Sequence, residues 1–212
     1  MTSSSSNYGP ETNLFIIAQK QNGYFTSKQA TRAGYKDNNF KYYLEKEKWL
    51  KIMRGVYFLK NYPPSDDAQY TIWSLWIGEK ADIPIGVYSH ITALRFHNVS
   101  EVISDKLHIT VPENFRINKI IPESLVLHKK KLDKKDIQYL SGYAITTLNK
   151  TLVDLAESKE MERGQFIHAI IQSYKKGYIS LDFILQTSEL TNFIPEITKH
   201  IITSQGLEKT SH

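Results

Sequence analysis

The chain has 212 residues, enough for one large domain or two small ones, either with a real hydrophobic core. It contains no cysteine, which excludes disulfides, thiolate nucleophiles and cysteine-ligated zinc. That fits a reducing compartment, and the cytoplasm is the expected location. Net charge is +5 and unevenly spread: residues 1–64 hold ten Lys or Arg against four Asp or Glu, while residues 65–212 hold seventeen against eighteen.

Met1 to Pro10 is polar and Ser-rich, without the basic start and apolar centre of a secretory signal, so residues 1–12 are expected to form a disordered tail. No apolar run approaches the roughly 18 residues of a membrane span, and no membrane partner is expected. Asn13 to Gln21 carries Leu14, Phe15, Ile17 and Ala18 at helical spacing, with Gly23 placed to end the helix. Thr26 or Ser27 can cap a short second helix to about Ala33, and Gly34 can take the left-handed conformation that stops it. Asp37 or Asn38 offers a cap for a third helix. Its apolar side holds Phe40 and Tyr43 or Leu44; its other side holds Asn38, Asn39, Lys41, Tyr42, Glu45 and Lys46.

The following "WLKIMRGVYFLK" is β-rich and broken by Arg54-Gly55, the composition of a hairpin with a tight turn. Helix, helix, tight turn, helix and hairpin is the order of a winged helix-turn-helix. "NYPPSDDA", residues 61–68, has Pro63-Pro64 and no apolar periodicity, so the domain boundary is expected there. Beyond it, helices are predicted over Ala68 to Glu79, over "YSHITALRFHNV" with Ser89 as cap, over Thr147 to Ser158 with a capping Thr, and at Glu162 to Lys176 and Leu181 to Thr187. "KLHITVP" and "LVLHKK" read as strands. The tail from about 203 to 212 is expected to fray. The expected fold class is α+β: a winged helix-turn-helix over residues 13–62, then a larger mixed α/β domain over residues 66–200.

A winged helix-turn-helix sets the helix after the tight turn into the major groove, its first residues nearest the base edges and its wing near the backbone. Asn38 and Asn39 suit adenine, which presents an acceptor beside a donor. Lys41, Lys46 and Arg54 suit phosphates, and Thr26 and Ser27 with the amides of their helix start suit one more. Tyr42 completes the exposed set. Each has a plainer role: Asn38 and Asn39 also suit capping, Tyr42 packing, and Lys41 and Lys46 a solvated face. "HKKKLDKKD", residues 128–136, adds Lys129, Lys130, Lys131, Lys134 and Lys135 as further phosphate contacts or as a solvated loop.

"GYFTSKQATRAGYKDNNFKYYLEKEKWLKIMRGVYFL" resembles the N-terminal winged-helix domain of the AbiEi-type antitoxins, ending in their Arg-Gly-Val-Tyr wing at Arg54 to Tyr57. The resemblance continues in "SHITALRFHNV" at Ser89 to Val99, "LHITVP" at Leu107 to Pro112 and "GYAITTLNKTLVDLA" at Gly142 to Ala156, and spans roughly residues 13–190. Leu148-Asn149-Lys150 departs from the Pro and basic residue that many relatives carry there. The resemblance implies a transcriptional regulator that represses its own operon through operator DNA, in inverted repeats. It also implies the antitoxin of a type IV toxin-antitoxin system of abortive phage infection. Its functional partner would be a nucleotidyltransferase-like toxin, with no stable complex required.

Catalysis has little support in the sequence. His90 and His97, seven residues apart on a helix, stand about 10 Å apart along its axis, too far to share one metal. His108 and His128 fall in strands, and no H-E-x-x-H, G-x-S-x-G or phosphate-binding glycine loop occurs. Asp154, Glu157 and Lys159 have nuclease-like composition but sit on an amphipathic helix whose charges are expected to face solvent. No catalytic residue, metal ligand or cofactor is therefore expected. The rival readings are a metal-dependent nuclease that uses the winged helix for docking and an RNA- or protein-binding module.

Overall fold

The computed structural model describes residues 8–80 and 83–204. The chain is mixed α and β with several sheets, and it divides into two compact units, Met1–Gly86 with Tyr139–Ala144, and Val87–Gln138 with Ile145–His212. The proline-containing stretch at residues 61–68 lies inside the first unit.

In the first unit, α1 (Pro10–Gln19) begins three residues before the expected start, because Pro10 is pre-set for the first helical position and lacks only an N–H that a helix start leaves unpaired anyway. The expected tail therefore gives way at residue 10; its first seven residues lie outside the described ones. Leu14 and Ala18 face the core, whereas Phe15 is 48% exposed. Strand β1 (Tyr24–Thr26) leads into α2 (Ser27–Arg32). Of the two alternatives, Thr26 is the cap: its hydroxyl accepts from the Gln29 N–H, and the Gln29 side chain accepts from the Thr26 N–H. Gly34, at φ +108°, makes the turn after α2.

A 3-10 turn (Asp37–Asn39) precedes α3 (Phe40–Glu45), and here the expected cap is wrong. Neither Asp37 nor Asn38 caps α3; Asn39 occupies that position without a side-chain bond, and the Asp37 carboxylate instead accepts from the Thr31 hydroxyl at 2.7 Å. Strands β2 (Trp49–Met53) and β3 (Val56–Leu59) form the expected hairpin, with Gly55 at φ +81° in its turn and a bulge between Lys51 and Met53. β1 pairs antiparallel with β3, so the sheet order is β1-β3-β2. Its core is aromatic: Phe25, Tyr35, Phe40, Trp49 and Tyr57 are buried with Leu14, Ala18, Ala30 and Ala33. Helix α4 (Ala68–Ile77) and the short strands β4 (Glu79–Lys80) and β5 (Ile83–Pro84) complete the series in this unit.

The second series opens with β6 (Val87–Tyr88), α5 (His90–Phe96), β7 (Leu107–Val111) and β8 (Leu125–Lys129). After a 3-10 turn (Lys134–Asp136) come β9 (Ile137–Tyr139), β10 (Ala144–Thr146), α6 (Leu148–Ser158), α7 (Arg163–Lys175) and α8 (Leu181–Gln186). A second 3-10 turn (Ser188–Phe193) leads to α9 (Ile194–Ser204), which the sequence reading did not anticipate. The sheet order is β8-β7-β6-β10-β9, with β7 parallel to β8 and antiparallel to β6. β7 is buried from His108 to Val111, which brings polar side chains into the interior along with Ile109 and Val111. The helical core gathers Leu94, Leu152, Leu155, Phe166, Ile170, Ile184, Leu190 and Ile197. Residues 205–212 of the expected fraying tail lie outside the described residues. Among the described residues no helix is long and apolar enough to cross a membrane.

Candidate nucleic-acid interface and a buried histidine cluster

The first candidate site is the outward face of α3. Phe40 is buried and Tyr43 and Leu44 are half-buried, which pins that side to the aromatic core. Asn38, Asn39, Lys41, Tyr42, Glu45 and Lys46 are all exposed. Neither asparagine is used as a side-chain cap for α3. Lys41 pairs with Glu45 at 3.6 Å across one turn, with side chains 85% and 63% exposed, so the pair is worth at most about 1 kcal/mol and opens easily. Tyr42 is 53% exposed and leans edge-on against Tyr43 at 5.3 Å. Arg54 stands exposed in the β2–β3 turn.

Thr26 and Ser27 serve the fold more than the expected phosphate. The N–H groups of Thr26 and Gln29 close the capping box, and the Ser27 N–H donates to the Gly55 carbonyl at 3.1 Å. Three amides of this turn are thus engaged, so a phosphate there would meet one amide rather than a cluster. The lysines after β8 also divide. Lys129, Lys131, Lys134 and Lys135 are exposed. Lys130 turns inward to Asp154 at 3.3 Å and to Glu157; burial opposes its charge, but these carboxylates hold its pKa above the ordinary value. Lys130 is therefore engaged by two carboxylates of α6, although its side chain remains 41% exposed, and it is less available for a phosphate than the other four lysines.

Asp154 also departs from expectation: it is 2% exposed, not solvent-facing. Its Oδ1 takes both Lys150 and Lys130, while its Oδ2 is buried with no hydrogen-bond partner among the described residues. Thr147 and Ser89 stand at the starts of α6 and α5 without making side-chain caps. The Thr147 carbonyl accepts from Thr151, and the Ser89 hydroxyl contacts His90 Nδ1 at 2.9 Å and accepts from Thr110 at 2.8 Å.

Around Ser89 lies a group that sequence spacing did not reveal. The His90 and His128 rings stack with centroids 3.7 Å apart, and His108 Nδ1 lies 3.1 Å from His128 Nε2. Glu160 reaches the same place, with Oε2 at 3.1 Å from His108 Nδ1 and Oε1 at 3.9 Å from His128 Nε2. A carboxylate can only accept, so a proton on His108 Nδ1 serves both Glu160 and His128, and leaves His128 Nε2 as an acceptor. Burial pushes the His90 pKa down to about 3, with nearby His128 adding to the effect, and burial likewise lowers His108 and His128. All three imidazoles are neutral near pH 7. His90 itself has φ +52°, an uncommon backbone state for a residue with a side chain. His97 stands apart from this group and bonds the Thr146 carbonyl through Nε2 at 2.8 Å.

Helical spacing relates His90 to His97 and offers no metal-ligating set. In fact one donor atom each from His90, His128 and Glu160 falls within 4.8 Å of the others. Thr110 faces His128 in the parallel β7–β8 register, which brings together residues far apart in the chain. The signal that pointed this way was the presence of His108 and His128 in two strands; their pairing was not legible.

No family model matches the chain, and no curated protein matches it significantly. The likeness to AbiEi-type antitoxins therefore rests on the motifs alone, and function must be argued from the residues.

Proposed function

We propose that the first unit carries a winged helix-turn-helix that binds DNA, and that the chain is a transcriptional autorepressor acting as the antitoxin of a type IV toxin-antitoxin system. The observation that carries the DNA-binding reading is the two-sided α3: Phe40 is locked in an aromatic core while Asn38, Asn39, Lys41, Tyr42 and Lys46 stand in solvent. The charge excess over residues 1–64 and the Arg54 turn fit the same reading. α3 has six residues, about 9 Å of helix, so the base-reading residues would be those of the 3-10 turn that leads into it, Asn38 and Asn39.

The antitoxin role rests on the motif resemblance across both units, with a nucleotidyltransferase-like toxin as partner and no stable complex needed. Binding of the intact chain to operator and scrambled duplexes, read by fluorescence anisotropy over a salt series, tests the DNA role. Lys41→Ala should weaken both and reduce the salt slope by about one; Asn39→Ala should weaken the operator alone, by about 1–3 kcal/mol. Unchanged operator binding by both variants would remove α3 from recognition. Rescue of growth when the adjacent toxin gene is co-expressed tests the antitoxin role separately.

A further inference from the structure

We infer that His90, His128 and Glu160 form a binding site for a single transition-metal dication of the zinc class in the second unit, a function independent of DNA binding. Imidazole nitrogen with one carboxylate oxygen is a donor set that suits zinc and its neighbours rather than magnesium or calcium. Three protein ligands leave a fourth position open for water or a ligand. The three donor atoms already lie within 4.8 Å of one another. In a tetrahedral zinc site two ligands at about 2.1 Å each stand about 3.4 Å apart, so the donor atoms must close by somewhat more than an ångström, which side-chain rotation has to supply.

One rearrangement is required. His90 and His128 stack at 3.7 Å with planes 15° apart, and an ion cannot lie in both ring planes at once. Turning His128 about its second side-chain torsion solves this. That torsion is broad for histidine, and the His128 side chain is 18% exposed, whereas His90 is buried. The turn gives up the His108–His128 hydrogen bond and leaves His108 Nδ1–H to Glu160. His90 would ligate through Nε2, with Nδ1–H donating to Ser89 Oγ, the outer contact that fixes a metal-binding tautomer.

The test uses the intact chain, stripped with chelator and titrated with Zn²⁺ by calorimetry and with Co²⁺ by visible absorption. One ion per chain is expected, with ligand-field bands of a low-coordinate Co²⁺ site. Glu160→Gln, at a partly exposed loop position, and His128→Gln should each weaken binding by more than ten-fold, and Ser89→Ala by about ten-fold. A variant with His168, His200 and His212 all changed to Gln should bind as the parent does. Circular dichroism checks each fold, and Glu160→Gln decides the matter if His128→Gln does not fold. Absence of saturable binding, binding unaltered by Glu160→Gln, or binding lost in the triple variant each overturns the site.

Discussion

Phe40 and Trp49 meet edge to face with ring centroids 5.3 Å apart, and that contact fixes the first residue of α3 against β2. Trp49 also stacks on Tyr43 at 4.8 Å and meets Tyr35 and Phe25 edge-on at 4.9 Å each, so one indole anchors α3 at two of its three inward positions. Phe40→Ala should cost about 3–5 kcal/mol. Tyr42→Ala, on the exposed side, should stay within about 0.5 kcal/mol. Urea unfolding of the intact chain followed by tryptophan fluorescence measures both. A loss below about 1 kcal/mol for Phe40→Ala would mean that α3 is held some other way.

The capping box separates two neighbouring hydroxyls that look equivalent in sequence. Thr26→Ala removes the acceptor for the Gln29 N–H and should cost about 1 kcal/mol. Ser27 engages the hairpin through its backbone N–H, which any residue but proline retains, so Ser27→Ala should change stability by less than about 0.5 kcal/mol. Thermal unfolding of the two variants side by side distinguishes them, and equal losses would count against the assignment of the cap.

Histidine burial sets a pH dependence. Folded His90 titrates at about 3 against an ordinary 6.5, and burial depresses His97, His108 and His128 as well. Between the folded and unfolded values the unfolded chain binds more protons, so stability rises with pH through this window and falls on acidification below about 6.5. Each histidine that stays neutral while its unfolded counterpart is protonated contributes about 1.4 kcal/mol per pH unit. Denaturation midpoints of chelator-treated protein should therefore drop from pH 6.5 to pH 5. His90→Gln should flatten that slope; an identical slope would place the proton uptake elsewhere.

The two lysines on Asp154 are unequal. The Lys150 side chain is 12% exposed and the Lys130 side chain 41%, while the Asp154 side chain is 2% exposed. Removing Lys150 leaves a buried carboxylate poorly compensated and should cost about 3 kcal/mol; Lys130→Ala should cost less than half as much. Lys130→Ala should also leave DNA affinity unchanged. Chemical unfolding and the anisotropy assay report the two effects independently.

The first unit was largely legible because its elements follow one another closely and each carries its own signal: Gly34 for the turn, Arg54-Gly55 for the hairpin, Phe40 and Leu44 for the inward side of α3. The misses there were the short strands β1, β4 and β5, too brief to carry a periodicity, and choices among adjacent polar residues such as Asp37, whose carboxylate takes the Thr31 hydroxyl rather than an α3 amide. The histidine cluster was illegible for the opposite reason. His90, His108, His128 and Glu160 come from α5, β7, β8 and the residues after α6, and strand register, which periodicity does not supply, unites them. Asp154 misled in the same way: its place on an amphipathic helix gave no sign that Lys130, from the end of the β8 segment, would fold over it.

The hydrogen bond from the Ser27 N–H to the Gly55 carbonyl joins the start of α2 to the turn of the hairpin. Arg54 therefore does not ride on an independent flap. Its backbone is tethered to the same helix whose end, through Gly34, sets the direction of the chain into α3. If α3 and the hairpin both meet a duplex, they arrive with their spacing already fixed, and little ordering entropy remains to be lost on contact. On that reading the same tether would limit how far α3 and the hairpin can spread, so duplexes of matching groove width would be favoured.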